Sequence, residues 1–340
     1  MGLAAKLAAS QAGTGQYGGY APPAGAPPPQ APPLGQTAFG AHAPPPQAPQ
    51  PPRTDPTKDV NLILQILEDG VKDQNLSFFY PPNSLRPLAE RIVSTGALTK
   101  IISSWNLPLE VGMDLARLAL FDTVLYLDDS ASMSFAENGQ RIEELKKIAG
   151  KVATAAGLFD ADGIEVRWFN SKKEGNHLST KAQVVELINR VKWDRATPLG
   201  TSLEDRVLDP LVHKPAKKGK LKKPVLIVCI TDGAPTGEPR DKVIKVIKAS
   251  KALLSKTPYT ADAVSFQLAQ VGNDLEAREF LEWIDENKDI GGLVDTTSSF
   301  EHEQDNFSKA NPPVYLTPEI WLAKLLLGPI HSGYDAADEK

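Results

Sequence analysis

The strongest constraint on this chain comes from two runs that leave no alternate position for water. Residues 123–128 (TVLYLD) and 224–231 (PVLIVCIT) are apolar almost throughout. Successive side chains of a strand point to opposite faces, so a strand apolar on both faces must be covered on both. Between and after these runs lie segments of helical periodicity. The first is 141–159, through Ile142, Leu145, Ile148 and Val152; the others are 182–191, 201–212 (bent or ended near Pro210), 241–255 and 275–287. Further β-like stretches are 163–170, 263–272 and 292–296. This alternation predicts an α/β fold: a Rossmann-like, doubly wound parallel sheet with helices on both sides.

The segments flanking this unit have other characters. Residues 1–54 hold nearly half of the 29 prolines and few large aliphatics. Such a stretch cannot bury enough apolar surface to offset its ordering entropy, so disorder with local polyproline II is expected. Pro29-Gln30-Ala31-Pro32 fits a PxxP ligand pattern, as chance produces in so proline-rich a tract. Residues 55–116 read as a helical extension. Val60, Ile63, Leu64, Leu67 and Val71 share one face, with Gly70 placed to end that helix. A second helix is capped by Ser84 and stopped by Gly96, and a third, 109–121, comes after Pro108. Residues 306–340 form a connector, a helix and a tail. Thr317 caps the helix, Pro318 opens it and Gly328-Pro329 ends it. That helix is apolar nearly all round, so it is expected to pack on the N-terminal helices.

Charge and cysteine usage narrow the function classes. A net charge of -5 argues against a nucleic-acid binder, which would show a basic field. The basic run 214–223 (KPAKKGKLKK) reads as a solvated loop and leaves a nuclear location open. The single cysteine, Cys229, lies within an apolar run and reads as a buried core thiol in a reducing compartment. No stretch is a membrane span, because the longest apolar one, 115–127, is interrupted by Arg117 and Asp122. The first residues lack a secretory pattern, and Lys6 stands where a myristoylation signal needs Ser or Thr. A cytoplasmic protein is expected.

Three short segments fall at strand ends or helix openings. They are Asp128-Asp129-Ser130-Ala131-Ser132, Thr197-Pro198-Leu199-Gly200-Thr201 and Ile230-Thr231-Asp232-Gly233. Open parallel sheets bind ligands beyond the carboxyl ends of their strands, where strand order reverses. If strands 123–128 and 224–231 are neighbours there, Asp128 and Asp232 lie side by side. Asp128, Ser130, Ser132, Thr197 and Asp232 are all hard oxygen donors, suited to Mg²⁺ or Mn²⁺ and not to zinc. Two carboxylates only neutralise a divalent ion, so the metal would remain electrophilic toward a carboxylate from another molecule. Each segment alone is an ordinary helix-cap composition. It is the three together, in this order, that carry information.

DDSAS, ATPLGTSL and ITDGAP resemble the three segments of the metal-ion-dependent adhesion site of von Willebrand factor A-type domains: D-x-S-x-S, then a Thr, then an Asp within TDG. The resemblance spans residues 117–305. It implies a mostly parallel six-stranded sheet with one short antiparallel edge strand. It further implies direct ligation by Ser130 and Ser132, ligation by Thr197 in the ligand-bound state, and direct or water-mediated roles for Asp128 and Asp232. Ala131 replaces a frequent Gly, and Thr201 is a weaker alternative to Thr197 because it falls inside the next helix. The proline-rich head, FDTVLYLDDSASM, FLEWIDEN and LTPEIWLAKLLLG are similar to fungal intracellular proteins carrying such a domain. The implied function is a metal-dependent interaction module or scaffold, not an enzyme, binding a protein partner that presents Asp or Glu.

The alternative is a metal-assisted hydrolase using the same pocket. Haloacid-dehalogenase-type phosphohydrolases need an Asp where Ser130 stands, and no GxSxG elbow, P-loop or strand-linked GxGxxG occurs. His177, His213 and His302 read as surface histidines, so no general base is evident. Pro312-Pro313-Val314-Tyr315 fits a PPxY pattern but reads as a connector. Asn75-Leu76-Ser77 and Asn306-Phe307-Ser308 are glycosylation sequons only in a secreted protein.

Overall fold

The doubly apolar runs become the two central strands of one sheet. The computed structural model describes residues 55–309 and 314–335, together with Leu3, Lys6, Leu7 and Ser10. Six strands, β1 (Asp122–Leu127), β2 (Ile164–Trp168), β3 (Gly175–Leu178), β4 (Val225–Thr231), β5 (Val264–Gln270) and β6 (Val294–Thr297), lie in the order β3-β2-β1-β4-β5-β6. All pairs are parallel except β2 with β3. The chain winds outward from β1 in one direction and from β4 in the other, giving a Rossmann-like doubly wound α/β fold with its switch point between them. The register pairs Leu127 with Ile230, and the Asp128 N–H donates to the Ile230 carbonyl at 3.0 Å.

Two-residue periodicity divides the strands between two cores. Leu125, Leu127, Leu226, Val228 and Ile230 face one; Val124, Tyr126, Val225, Ile227 and Cys229 face the other. Four helices, α1 (Val60–Asp73), α2 (Arg86–Thr95), α3 (Ala97–Trp105) and α4 (Leu109–Asp114), precede β1 and add a layer on the first core. Over that same core lie α5 (Gln140–Phe159), burying Leu145, Ala149 and Val152, and α6 (Lys181–Ile188), burying Val184 and Ile188. Over the second lie α8 (Lys242–Leu254) and α9 (Leu275–Asp285). They are joined by a helix that starts as α7 (Leu199–Ser202) and widens into a π-helical stretch, Leu203–His213, containing Pro210. At Pro210, where a bend or an end is expected, the helix continues as a wider turn, which accommodates the missing N–H.

After β6 the chain forms α10 (Phe300–Lys309) and then the C-terminal helix α11 (Pro318–Leu327). Every residue of α11 from Ile320 to Leu327 is buried, and its core is shared with the helices that precede β1, as its all-round apolarity predicts. Residues 3 and 7 depart from the expected disorder of 1–54. Leu3 and Leu7, one helical turn apart, are helical and fully buried in the same core, and Lys6 pairs with Asp114. The opening decapeptide is rich in Ala and free of proline, unlike the tract that comes after it. Residues 11–54, with the PxxP pattern, lie outside the described residues, as do Pro312 and Pro313 of the PPxY pattern.

Several local expectations are corrected by packing. Gly70 does not end α1; it sits inside the helix, where a Cβ would lie 3.0 Å from Leu120 Cδ1. It is the thin spot that lets α1 rest on the 3₁₀ turn Leu115–Leu120. Ser84 is not a cap, since α2 begins at Arg86 with Pro87 in its first turn and no side-chain cap. The helix expected over 109–121 stops at Asp114 and tightens into that 3₁₀ turn. His213 is buried, not at the surface; its Nε2 lies 2.8 Å from Ser250 Oγ.

A polar cluster ties the extensions together. Arg117 donates to Asp73 at 2.9 Å, Ser332 N–H donates to the same carboxylate at 3.1 Å, and the Tyr334 hydroxyl donates to Asp114 at 2.8 Å. His331 lies among these groups. Burial first, and then the cations Arg117 and Lys6, push its pKa down to about 4 against the pull of Asp114 and Asp73. A histidine neutral when folded and protonated when unfolded withdraws stability as pH falls from 6.5 toward 4. The urea midpoint of the protein is expected to fall more steeply over that window than that of His331→Gln; parallel profiles would rule out this source.

Candidate metal centre

Three loops converge beyond the carboxyl ends of β1 and β4. The β1 loop turns immediately: the Ser130 N–H donates to Asp128 Oδ1 at 2.8 Å, and Ala131 and Ser132 start a short helical turn, Ser132–Phe135. The Ala131 N–H donates to the Arg195 carbonyl at 2.9 Å, which pins the loop before α7 alongside. The β4 loop brings Thr231 and Asp232 opposite. Thr231 Oγ1 donates to Asp128 Oδ2 at 2.6 Å. Ser132 Oγ donates to Asp232 Oδ1 at 2.9 Å and lies 3.0 Å from Ser130 Oγ. Four of the five sequence-predicted residues thus form one connected cluster.

Thr197 is the fifth, and it enters by a different route. Its N–H donates to Thr236 Oγ1 at 2.9 Å, and its carbonyl accepts from the Leu199 and Thr236 N–H groups. These bonds hold it, buried, on the loop beside Ser130; its hydroxyl takes no part in the bonds joining the other four. Thr201 lies in the first turn of the helix, where its N–H and that of Gly200 donate to the Glu238 carboxylate at 2.9 and 2.6 Å. Glu238 caps that helix, compensating its exposed N–H groups.

The electrostatics are dominated by two carboxylates without solvent. Asp128 and Asp232 are both 0% exposed. Burial, and then the neighbouring Asp232, push the Asp128 carboxyl up to about 7. Asp232 has a partner that sequence reasoning missed. Arg141, in the first turn of α5, donates from Nη1 to Asp232 Oδ2 at 2.6 Å, and its Nε and Nη2 lie 3.0 and 2.9 Å from Glu137 Oε1. Burial disfavours the guanidinium charge, but the hydrogen bonds to Asp232 and Glu137 more than offset it. The available signal was a charged residue at a stripe position: Arg141, Leu145 and Ile148 share the buried face of α5.

The donor set fits a hard divalent ion. Octahedral Mg²⁺ with bonds of about 2.0–2.1 Å spaces neighbouring oxygens about 2.9 Å apart. Ser130 Oγ to Ser132 Oγ and Ser132 Oγ to Asp232 Oδ1, at 3.0 and 2.9 Å, are compatible with that spacing, which is also that of ordinary hydroxyl hydrogen bonds. Ser132 is part-exposed, so the cluster opens to solvent on that side. Among the described residues no group of three or more His, Cys, Asp or Glu is placed to hold a metal. Asp128 and Asp232 alone would not hold an ion, and hydroxyls, backbone carbonyls or water would have to supply the remaining ligands. No family model matches this chain, and neither does any curated protein.

Asp129, between two candidate ligands, points the other way. It accepts from the Asn170 and Ser171 N–H groups, each at 2.8 Å, and fixes the loop after β2. Asp129→Ala leaves both donors without that partner and is expected to cost about 1–3 kcal/mol in urea unfolding. A change below about 0.5 kcal/mol would show that water replaces the carboxylate freely.

Proposed function

We propose that this protein is a divalent-metal-dependent interaction module of the von Willebrand factor A type, holding Mg²⁺ or Mn²⁺ and binding an acidic residue of a protein partner. The observation that carries the reading is the convergence of Ser130, Ser132 and Asp232 in one hydrogen-bonded chain of hard oxygens at the switch point of a doubly wound sheet. In this reading Ser130 and Ser132 ligate directly, Thr197 ligates when a partner is bound, and Asp128 and Asp232 act directly or through water. Bound metal would supply a Lewis-acidic position for the partner's carboxylate. Two carboxylates only neutralise a divalent ion, and the Arg141–Glu137 pair adds no net charge, so the ion would stay electrophilic toward a further carboxylate. Binding is preferred to turnover because the site's segments offer no evident general base; Asp128, with both oxygens engaged by Ser130 and Thr231, would act on the metal through water or after releasing one of these donors. Among the described residues no helix is long and apolar enough to cross a membrane.

Calorimetric titration with Mn²⁺ tests the metal claim. The wild type is expected to give a saturable isotherm, and Ser132→Ala, with unchanged thermal unfolding, to bind at least about tenfold more weakly. Indistinguishable isotherms would overturn the site. Turnover of generic phosphate or ester substrates with Mg²⁺, abolished by Asp232→Ala, would replace the binding role with the hydrolytic one.

A further inference from the structure

Arg141 occupies a position that local physics disfavours. A cation in the first turn of a 20-residue helix opposes the helix dipole, and its side chain is only 8% exposed. The surroundings are nevertheless built to seat it. Asp232 holds one edge of the guanidinium and Glu137 holds another. Glu137, Asn138 and Gly139 reach the helix through three successive left-handed residues, with φ of 50°, 53° and 81°. That is an uncommon backbone for the two that are not glycine. Gly272, at φ 72° where a side chain is strained, closes over this pair; a Cβ there would lie 2.6 Å from Arg141 Nε and 2.9 Å from Glu137 Oε1, so both side-chain ends would have to shift. The Gly272 N–H donates to Glu144 at 3.0 Å, and the Asn273 N–H donates to Glu137 at 3.2 Å. Loops after β1, β4 and β5 are thus closed around one buried cation that already engages a candidate metal ligand.

We infer that Arg141 is the built-in counter-cation of this site, competing with the divalent metal for Asp232 and setting its affinity, with Glu137 drawing the guanidinium away. The inference rests on the metal reading above. With Arg141 on Asp232 the two buried carboxylates are half-neutralised, so the fold tolerates a metal-free site. When the metal enters, Asp128, Asp232, Glu137, Arg141 and the ion sum to zero, and Arg141 offsets one of the three carboxylates, which weakens metal binding and leaves the ion a stronger pull on an incoming carboxylate than the carboxylates alone would. Glu137, on the far edge of the guanidinium, is the group that can hold Arg141 once Asp232 turns to the metal.

The test is Mn²⁺ titration of wild type, Arg141→Gln and Glu137→Gln, with thermal unfolding in EDTA measured on the same samples. Arg141→Gln is expected to bind Mn²⁺ about tenfold more tightly or better while unfolding at a lower temperature in EDTA. Glu137→Gln is expected to bind it more weakly, since Asp232 then keeps the guanidinium to itself. Opposite displacements by two substitutions four residues apart are not the outcome of simple loosening. Equal affinities across the three proteins, or weaker binding by Arg141→Gln, would overturn the role of Arg141 and leave the metal reading intact. Binding by Arg141→Gln alone would uphold the competition and overturn the metal reading for the natural chain; binding by none would overturn both. If Arg141→Gln does not fold, Glu137→Gln decides, an unchanged affinity counting against the inference.

Discussion

Two carboxylates buried side by side, Asp128 and Asp232, are the constraint around which this molecule is organised. Charge without solvent is costly, and each oxygen here has a donor within hydrogen-bond distance: Ser130 N–H and Thr231 Oγ1 on Asp128, Ser132 Oγ and Arg141 on Asp232. The donors come from separate loops and from the start of α5. Their convergence requires β1 and β4 to be neighbours in parallel register, which in turn requires both strands to be buried on both faces. Fold and site are therefore one problem: the apolar strands bring the carboxylates together, and the hydroxyls, the guanidinium and the bends around them make that proximity tolerable.

Burial of the strands also accounts for the flanking helices. Helices α7 to α9 cover one face. The other is covered by α5, by the pre-sheet helices and by α11, whose side chains share one core with Leu3 and Leu7 near the start of the chain. The N-terminal helices and the C-terminal segment are clamped by the Asp73, Arg117, Asp114 and Tyr334 polar cluster. The extensions are part of the sheet's cover, so removing them would expose its apolar layer.

Much of this was legible in residue order. The doubly apolar runs and helical stripes give the sheet and its helices, and the three polar segments give four residues that the structure joins by hydrogen bonds. The features that were not legible depend on partners distant in sequence. Arg141 is a surface-type residue until Asp232, 91 positions away, explains its burial. Gly70 reads as a helix stop until the close approach of Leu120, which would have to give way to a Cβ, accounts for it. The edge strand β3 is four residues long, two of them exposed, and carries too little apolar pattern to be seen. Leu3 and Leu7 were obscured by the composition of the proline-rich tract beside them.

The most direct measurement of the central claim is an anomalous difference map from crystals soaked in Mn²⁺. The account requires a peak bounded by Ser130 Oγ, Ser132 Oγ and the Asp232 carboxylate, with Arg141 displaced from Asp232 or sharing it. A map without a peak there, with Arg141 still paired to Asp232, would mean that the guanidinium is the only cation this site takes.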